Sequence, residues 1–305
     1  MKQLRYYTAD VFTDRPFGGN PLAVFPEARG LSDEQMQAIA RELNLAETTF
    51  VYPPADARHT NRLRIFTPKA ELPFAGHPTV GTAFVLAATG RIALSGEQTD
   101  IVFEEAVGPV PVRIRAGAGA PSFMQLSVAQ LPASGPPPPD VAALAAALSL
   151  PTDAISTGEH APQAYSCGLP YLFVPLRDRA ALARARLQRD RWETLLANYW
   201  APHLYLITFD TGSPYVQVRA RMYAPAIATD EDPATGSAAA ALAGYLGARA
   251  TRKGALRWRI EQGIEMGRPS LMEVEADKID GAITAVRVGG AAVMMSEGMF
   301  TLADG

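Results

Sequence analysis

The chain has 305 residues, 48% of them hydrophobic, enough for two ordinary domains with a substantial buried core. A net charge of -3 and a pI near 5.9 give no broad positive surface for nucleic acid or an anionic membrane, although a local acid-binding site remains open. The single cysteine, Cys167, excludes an internal disulfide and any multi-thiolate metal site, and the four scattered histidines (His59, His77, His160, His203) show no ligand-like spacing. No apolar run reaches the roughly 20 residues of a membrane span. The opening residues lack the apolar core of a secretory signal, so a cytoplasmic location is the expectation.

In chain order, residues 5–12 and 21–25 read as strands around the turn Gly18-Gly19-Asn20-Pro21. Ser32 is an N-cap for a helix through Leu43. Strands are expected over 48–52 and 63–66, the latter ended by Pro68. An apolar helix then opens at Gly76 and runs to Ala88, stopped by Gly90. Strands over 101–105 and 110–115 follow. The segment 116–140, with Ala-Gly-Ala-Gly-Ala-Pro, one strand-like run and the prolines 136–139, has the composition of an extended connection. A domain boundary is therefore expected near its start, giving halves 1–116 and 117–305, with the extreme C-terminus packing back on the first half. In the second half we expect a helix over 141–148, an Arg-rich helical region over 179–197, and strands over 204–209 and 215–222. An apolar helix from Gly236 to Leu246 and strands over 257–260, 271–276 and 283–288 complete it.

The two halves carry matching signals. Gly19-Asn-Pro is answered by Gly168-Leu-Pro, Arg64-Ile-Phe-Thr-Pro68 by Arg221-Met-Tyr-Ala-Pro225, and Pro73-Phe-Ala-Gly-His77 by Pro233-Ala-Thr-Gly-Ser237. Measured at residues 19 and 168, 64 and 221, and 73 and 233, the offsets are 149, 157 and 160. Collinear matches whose offset drifts only slightly are what a duplicated unit shows.

Each Pro-x-x-Gly turn opens an apolar helix. Unpaired N–H groups and the positive dipole end at Gly76-His77 and Gly236-Ser237 suit a carboxylate, and glycine lets a ligand approach the backbone. For either helix alone, a turn and cap without a ligand would explain the residues; two matching starts favour an anion site. Glu47 stands between an amphipathic helix and an apolar strand, where a lone carboxylate is costly to bury and its pKa can rise toward neutrality. That suits a general base working at carbon. The plain alternative is an exposed glutamate at a strand entrance. Asp230-Glu231-Asp232 precede the second helix, where acids complement the dipole; Asp232, five residues before Ser237, is the one placed to meet a substrate amine or hydroxyl. His77 sits at a helix start that disfavours its cation, so it reads either as a neutral relay or as a cap. Cys167 reads as a small buried side chain.

Taken together, Asp10-Val-Phe-Thr-Asp-Arg-Pro-Phe-Gly-Gly-Asn-Pro-Leu-Ala-Val24, Leu45-Ala-Glu-Thr-Thr-Phe50, Phe66-Thr-Pro-Lys-Ala-Glu-Leu-Pro-Phe-Ala-Gly-His-Pro-Thr-Val-Gly81 and Asp230-Glu-Asp-Pro-Ala-Thr-Gly-Ser-Ala238 resemble the PhzF-like (phenazine biosynthesis) family. The resemblance covers nearly the whole chain. It implies an α+β, diaminopimelate epimerase-like fold: two pseudo-symmetric domains, each a sheet or barrel around a central helix, with the active site between them. It implies no cofactor, a homodimer, and a small carboxylate or amino acid as substrate; the expectation of no metal rests on the scattered histidines and single cysteine. By the same match Glu47 takes the acid/base position, His77 and Ser237 the helix-start positions, and Asp232 that of a substrate-contacting aspartate. Gly76 and Gly236 offer backbone N–H groups, and Asn20 borders the cleft.

More distant epimerases and racemases of this fold use a cysteine at each helix start, where this chain is expected to hold Ala75 and Ala234. A two-thiol mechanism needs a sulfur on each face of the stereocentre, and only one cysteine exists here. The expectation is therefore an isomerase performing a one-base proton shift through Glu47. Two other readings stay open: a small-acid binding or protein-interaction member without turnover, and a thiol-independent epimerase.

Overall fold

The computed structural model describes residues 1–227 and 229–302. The first of two compact units comprises Met1–Ala129 and the chain from Gly289 onward. Its elements are β1 (Lys2–Val11), β2 (Asn20–Phe25), α1 (Asp33–Leu43), β3 (Glu47–Tyr52), β4 (Asn61–Phe66), β5 (Glu71–Leu72), α2 (Gly76–Ala88), β6 (Gln98–Glu105), β7 (Gly108–Gly117) and β8 (Ala120–Ser127). The second unit, Gln130–Val288, begins with β9 (Ala133–Ser134), α3 (Val141–Ala147), β10 (Gln163–Ser166), β11 (Pro170–Pro175), α4 (Arg179–Arg184) and α5 (Arg189–Leu196). It continues with β12 (His203–Thr208), β13 (Val218–Ala224), β14 (Thr229–Asp232), α6 (Gly236–Arg249), β15 (Gly254–Gln262), β16 (Ser270–Ile279) and β17 (Ala282–Gly290). The last strand, β18 (Ala292–Leu302), returns to the first unit and pairs antiparallel along the whole of β1.

The duplication is visible in the strand pairing. In the first unit β1–β2 is antiparallel, β2–β3 parallel, β3–β4 antiparallel, β4–β6 parallel and β6–β7 antiparallel, with β5 added to β4. In the second unit β10–β11, β11–β12, β12–β13, β13–β15 and β15–β16 repeat that series, with β14 added to β13. The registers agree residue for residue in places: Arg62 pairs with Glu104 as Arg219 pairs with Glu261.

The strands of each unit are organised around its apolar helix. Every residue of α2 from Gly76 to Ala87 is buried, and α6 is buried from Gly236 to Gly247 except at Ser237. A helix without a polar face must be covered on all sides. Small residues make close cover possible, because a Cβ on Gly81 would lie 2.5 Å from Val11 Cγ2, and one on Gly244 would lie 2.4 Å from Pro132 Cβ. On the outside of the first sheet, α1 starts at Ser32 with a capping box to Gln35 and ends at Asn44 in the left-handed conformation. It covers a cluster in which Phe25 stacks on Phe50 at 5.0 Å.

Three sequence expectations need correction. The boundary after residue 116 falls inside a hairpin, since Gly117 of β7 pairs with Ala120 of β8. The Ala-Gly-Ala-Gly-Ala run is that hairpin's turn, with Ala118 and Gly119 at positive φ, and the unit continues to Ala129. The region 179–197 is two helices. The carbonyls of Leu182 and Ala185, freed where α4 ends, accept bonds from the buried Arg221 guanidinium at 2.9 and 3.0 Å. Finally, β18 is a strand where none was expected.

Gly19 has a φ of +62°, and a Cβ there would lie 2.3 Å from the Val11 carbonyl oxygen. The obstacle is backbone, which cannot swing aside. Gly19→Ala should lower the unfolding free energy by about 1–3 kcal/mol in urea titration, and an unchanged midpoint would show that the turn relaxes.

Candidate functional site

The first unit brings three of the expected residues together. Parallel pairing of β2 with β3 sets Leu22 opposite Glu47, so Asn20 and Glu47 lie at the same end of adjacent strands. His77 enters from the first turn of α2. Its Nε2 lies 3.0 Å from Glu47 Oε2, and its Nδ1 lies 3.3 Å from Asn20 Nδ2. Asn20 is fully buried and His77 nearly so, while the Glu47 side chain keeps 17% exposure. The carboxylate is thus the member of the trio that solvent or a ligand reaches most easily.

Burial lowers the His77 pKa to about 3, so the ring is neutral at physiological pH. With the Asn20 amide donating to Nδ1, the single ring proton sits on Nε2, the ring nitrogen nearer Glu47. Gly76 begins α2, and the N-cap Ala75 has no side chain to bond the first turn. The helix start is therefore capped by no side chain of its own.

In the second unit the expected residues have separate partners. Ser237 Oγ lies 2.7 Å from Tyr171 Oη. Asp232 ends β14, and its Oδ2 accepts a 2.5 Å bond from Thr235 Oγ1. The acidic trio is divided three ways, because Glu231 forms a bidentate pair with Arg221 and Asp230 lies 3.3 Å from Arg189. Arg64 makes the matching bidentate pair with Glu71 in the first unit. In both units, then, a guanidinium ties a central strand to the short strand leading into the helix start. Gly236 opens α6, whose N-cap Thr235 makes no side-chain cap bond. Since Gly76 and Gly236 are equivalent, the counterpart of Ala75 is Thr235, not Ala234 as the sequence suggested.

Several residues escaped the sequence reading. Tyr171 pairs with His203 in the parallel register that Leu22 makes with Glu47, so His203 is the positional counterpart of Glu47 in the second unit. It is buried, and burial lowers its pKa to about 4. The offset of 156 between residues 47 and 203 lies within the range of the repeat and could have found it. Gln262 is fully buried and uses its whole amide. It donates to Asp232 O at 2.7 Å and Thr235 Oγ1 at 3.0 Å, and accepts from Tyr205 Oη at 2.8 Å and Thr235 N at 3.3 Å. Nothing local in the sequence marks it, since its partners lie on other elements. Cys167 is buried, with its thiol pushed up to about 12.

Among the described residues, no group of three or more His, Cys, Asp or Glu side chains is placed to hold a metal, and no helix is long and apolar enough to cross a membrane. A cavity of about 750 Å³ in the first unit is lined by Lys2, Arg5, Arg29 and Arg91 among others, and includes none of Asn20, Glu47 or His77. Chemistry, not cavity size, marks the site.

Comparison with known proteins gives the class and then the family. The fold is that of the phenazine biosynthesis protein of the PhzF family from Bacillus anthracis, with a TM-score of 0.88 at 25% identity over 99% of this chain and 100% of that one. A hydroxyproline epimerase from Agrobacterium vitis shares the fold at a TM-score of 0.63 and 14% identity, covering 98% and 91% of the two chains. The family model for phenazine biosynthesis-like proteins, PhzC-PhzF, matches residues 9–298. An uncharacterized isomerase of Mesorhizobium japonicum is 41% identical over 98% of this chain and 99% of its own. The trans-2,3-dihydro-3-hydroxyanthranilate isomerase of Pseudomonas aeruginosa is 36% identical over 96% and 98%. The chain belongs to the PhzC-PhzF family and is an isomerase.

A His77 pKa lowered from 6.5 to about 3 means that the folded state binds fewer protons than the unfolded chain between those values. The associated stability is present above the unfolded value and is lost as pH falls toward 3. Nitrogen NMR of labelled protein should show a neutral ring, protonated on Nε2, at pH 6; an imidazolium signal there would refute the assignment.

Proposed function

We propose that this isomerase moves one proton within a small carboxylic or amino acid, with Glu47 as the group that takes and returns it. The observation that carries this reading is a partly exposed carboxylate 3.0 Å from a buried, neutral histidine beside a helix start whose N-cap residue has no capping side chain. A ligand carboxylate accepts the first-turn N–H groups of α2 at Gly76 and His77, which places its neighbouring carbons near Glu47. Glu47 removes a proton from one carbon, and the electron pair is delocalised through the adjacent unsaturation. The protonated Glu47 then delivers the same proton to another carbon on the same face. No electrons are gained or lost overall. His77 lies against one carboxylate oxygen, and Asn20 holds the ring. Asp232 and Ser237, with Tyr171 against Ser237, are proposed to contact the amine, hydroxyl or carboxylate of the ligand.

For the substrate, the Pseudomonas relative suggests a hydroxylated dihydroaromatic amino acid, a class that contains the carboxylate, amine and unsaturation this chemistry uses. Stereo-inversion by two thiols is excluded by the single cysteine, whose thiol is buried and far from ionised.

Glu47→Gln should reduce turnover of trans-2,3-dihydro-3-hydroxyanthranilate by about 10²–10⁴-fold with little change in ligand affinity. In deuterated buffer, the wild type should label the product at the carbon that receives the proton, to the extent that Glu47 exchanges with solvent during turnover. Unchanged turnover in the variant would overturn the assignment of Glu47.

A further inference from the structure

Glu105, which the proton chemistry above does not use, ends β6 with its side chain buried. Its Oε1 lies 2.6 Å from the hydroxyl of Thr79, on the first turns of α2. The same hydroxyl lies 2.8 Å from the carbonyl oxygen of Ala75, the residue immediately before Gly76. A hydroxyl carries one proton and cannot donate to both oxygens. When Thr79 donates to Ala75, the short contact with Glu105 requires a proton from Glu105 itself. The other carboxyl oxygen, Oε2, is buried and has no hydrogen-bond partner among the described residues, an arrangement costly for a carboxylate and far less so for a neutral acid.

The repeat provides an independent observation. Arg62 pairs with Glu104 as Arg219 pairs with Glu261, so Glu105 and Gln262 hold the same place, each at the end of its strand. Gln262 is a neutral donor that holds the start of α6 through Thr235. A protonated glutamic acid is the nearest chemical equivalent of that amide.

We propose that Glu105 is a positioning residue kept as a neutral carboxylic acid, which donates its proton to Thr79 and so holds the start of α2 without placing a negative charge beside it. An ionised Glu105 would draw the Thr79 proton away from Ala75 and set a buried negative charge near N–H groups proposed to receive the ligand carboxylate. Burial raises its pKa to about 8, outweighing the lowering effect of a bond from Thr79. The neighbouring charges do not compensate it. Arg64 is taken by Glu71 and Asp33, Glu104 accepts from Ala55 N, Asp56 N and His59, and His77 on α2 is neutral. Arg62 and Glu71 border the same cavity as Glu105, whose side chain makes its one hydrogen bond among the described residues with Thr79.

The consequence for ligand binding rests on the proposed carboxylate site, whereas the protonation does not. Infrared difference spectra of the wild type across pH 6 to 9 should show a buried carboxylic acid band that disappears near pH 8, and Glu105→Gln should lack it. A folded pKa raised from 4.5 to about 8 gives stability that is full below the lower value and is lost as pH rises through the higher. The ratio of wild-type to Glu105→Gln unfolding constants should therefore grow by about tenfold per pH unit between those limits and then level off. Anthranilate, used as a carboxylate probe, should bind the wild type more weakly above pH 8 and Glu105→Gln about equally at both. A carboxylate signal for Glu105 at pH 6, or the same stability slope in both proteins, would overturn the proposal. A titrating band with no anthranilate binding at any pH would leave the protonation standing and remove the carboxylate site instead.

Discussion

The rest of the structure depends on one constraint: each unit contains a helix with no polar face. Such a helix is stable in water only when it is enclosed, and α2 and α6 are buried along nearly their whole length. Enclosure dictates small residues at the closest approaches and a sheet that bends around the helix. It also creates an electrostatic difficulty, because the first-turn N–H groups are held in place with no cap bond from the N-cap residues Ala75 and Thr235. The anion site proposed above uses this arrangement, because packing pre-positions the donors and an incoming anion would require no reorganisation.

Around each helix start the same mechanical parts recur with different chemistry. Arg64 with Glu71 and Arg221 with Glu231 tie the central strand to the short strand before the helix. Glu105 and Gln262 end equivalent strands, and each reaches the start of its own unit's helix. What differs is the titratable set. The first unit has Glu47 against His77, whereas the second has His203 in the place of Glu47 and a Ser237–Tyr171 pair at the helix. Duplication preserved the scaffold and let the titratable groups near the helix starts diverge. That divergence suits one-base chemistry, and the absence of a second thiol rules out the symmetric alternative.

Burial sets the charge states that make this chemistry reasonable. His77 and His203 are neutral because a buried cation is disfavoured, and Glu105 is held neutral because a buried anion is. Glu47 keeps some exposure and is the group most open to a ligand. A neutral ring 3.0 Å from the carboxylate does not neutralise it, which a histidine cation would do.

Local signals in the sequence carried both apolar helices and the duplication, because turns, caps and helix starts are written in adjacent residues, whereas the isomerase family and the expectations for Asn20, Glu47 and His77 came from the resemblance of longer motifs. Glycine and proline punctuation was enough to place Gly76 and Gly236 at helix starts. Other features were settled by pairing over long distances. Strand β18 joins β1 across almost the entire chain, and a glycine-rich run taken for a connection is a hairpin turn. The equivalence of His203 with Glu47, and of Glu105 with Gln262, depends on strand register. Register is a tertiary property: it is set when the sheet closes around its helix, and the short-range pattern of any one strand does not contain it.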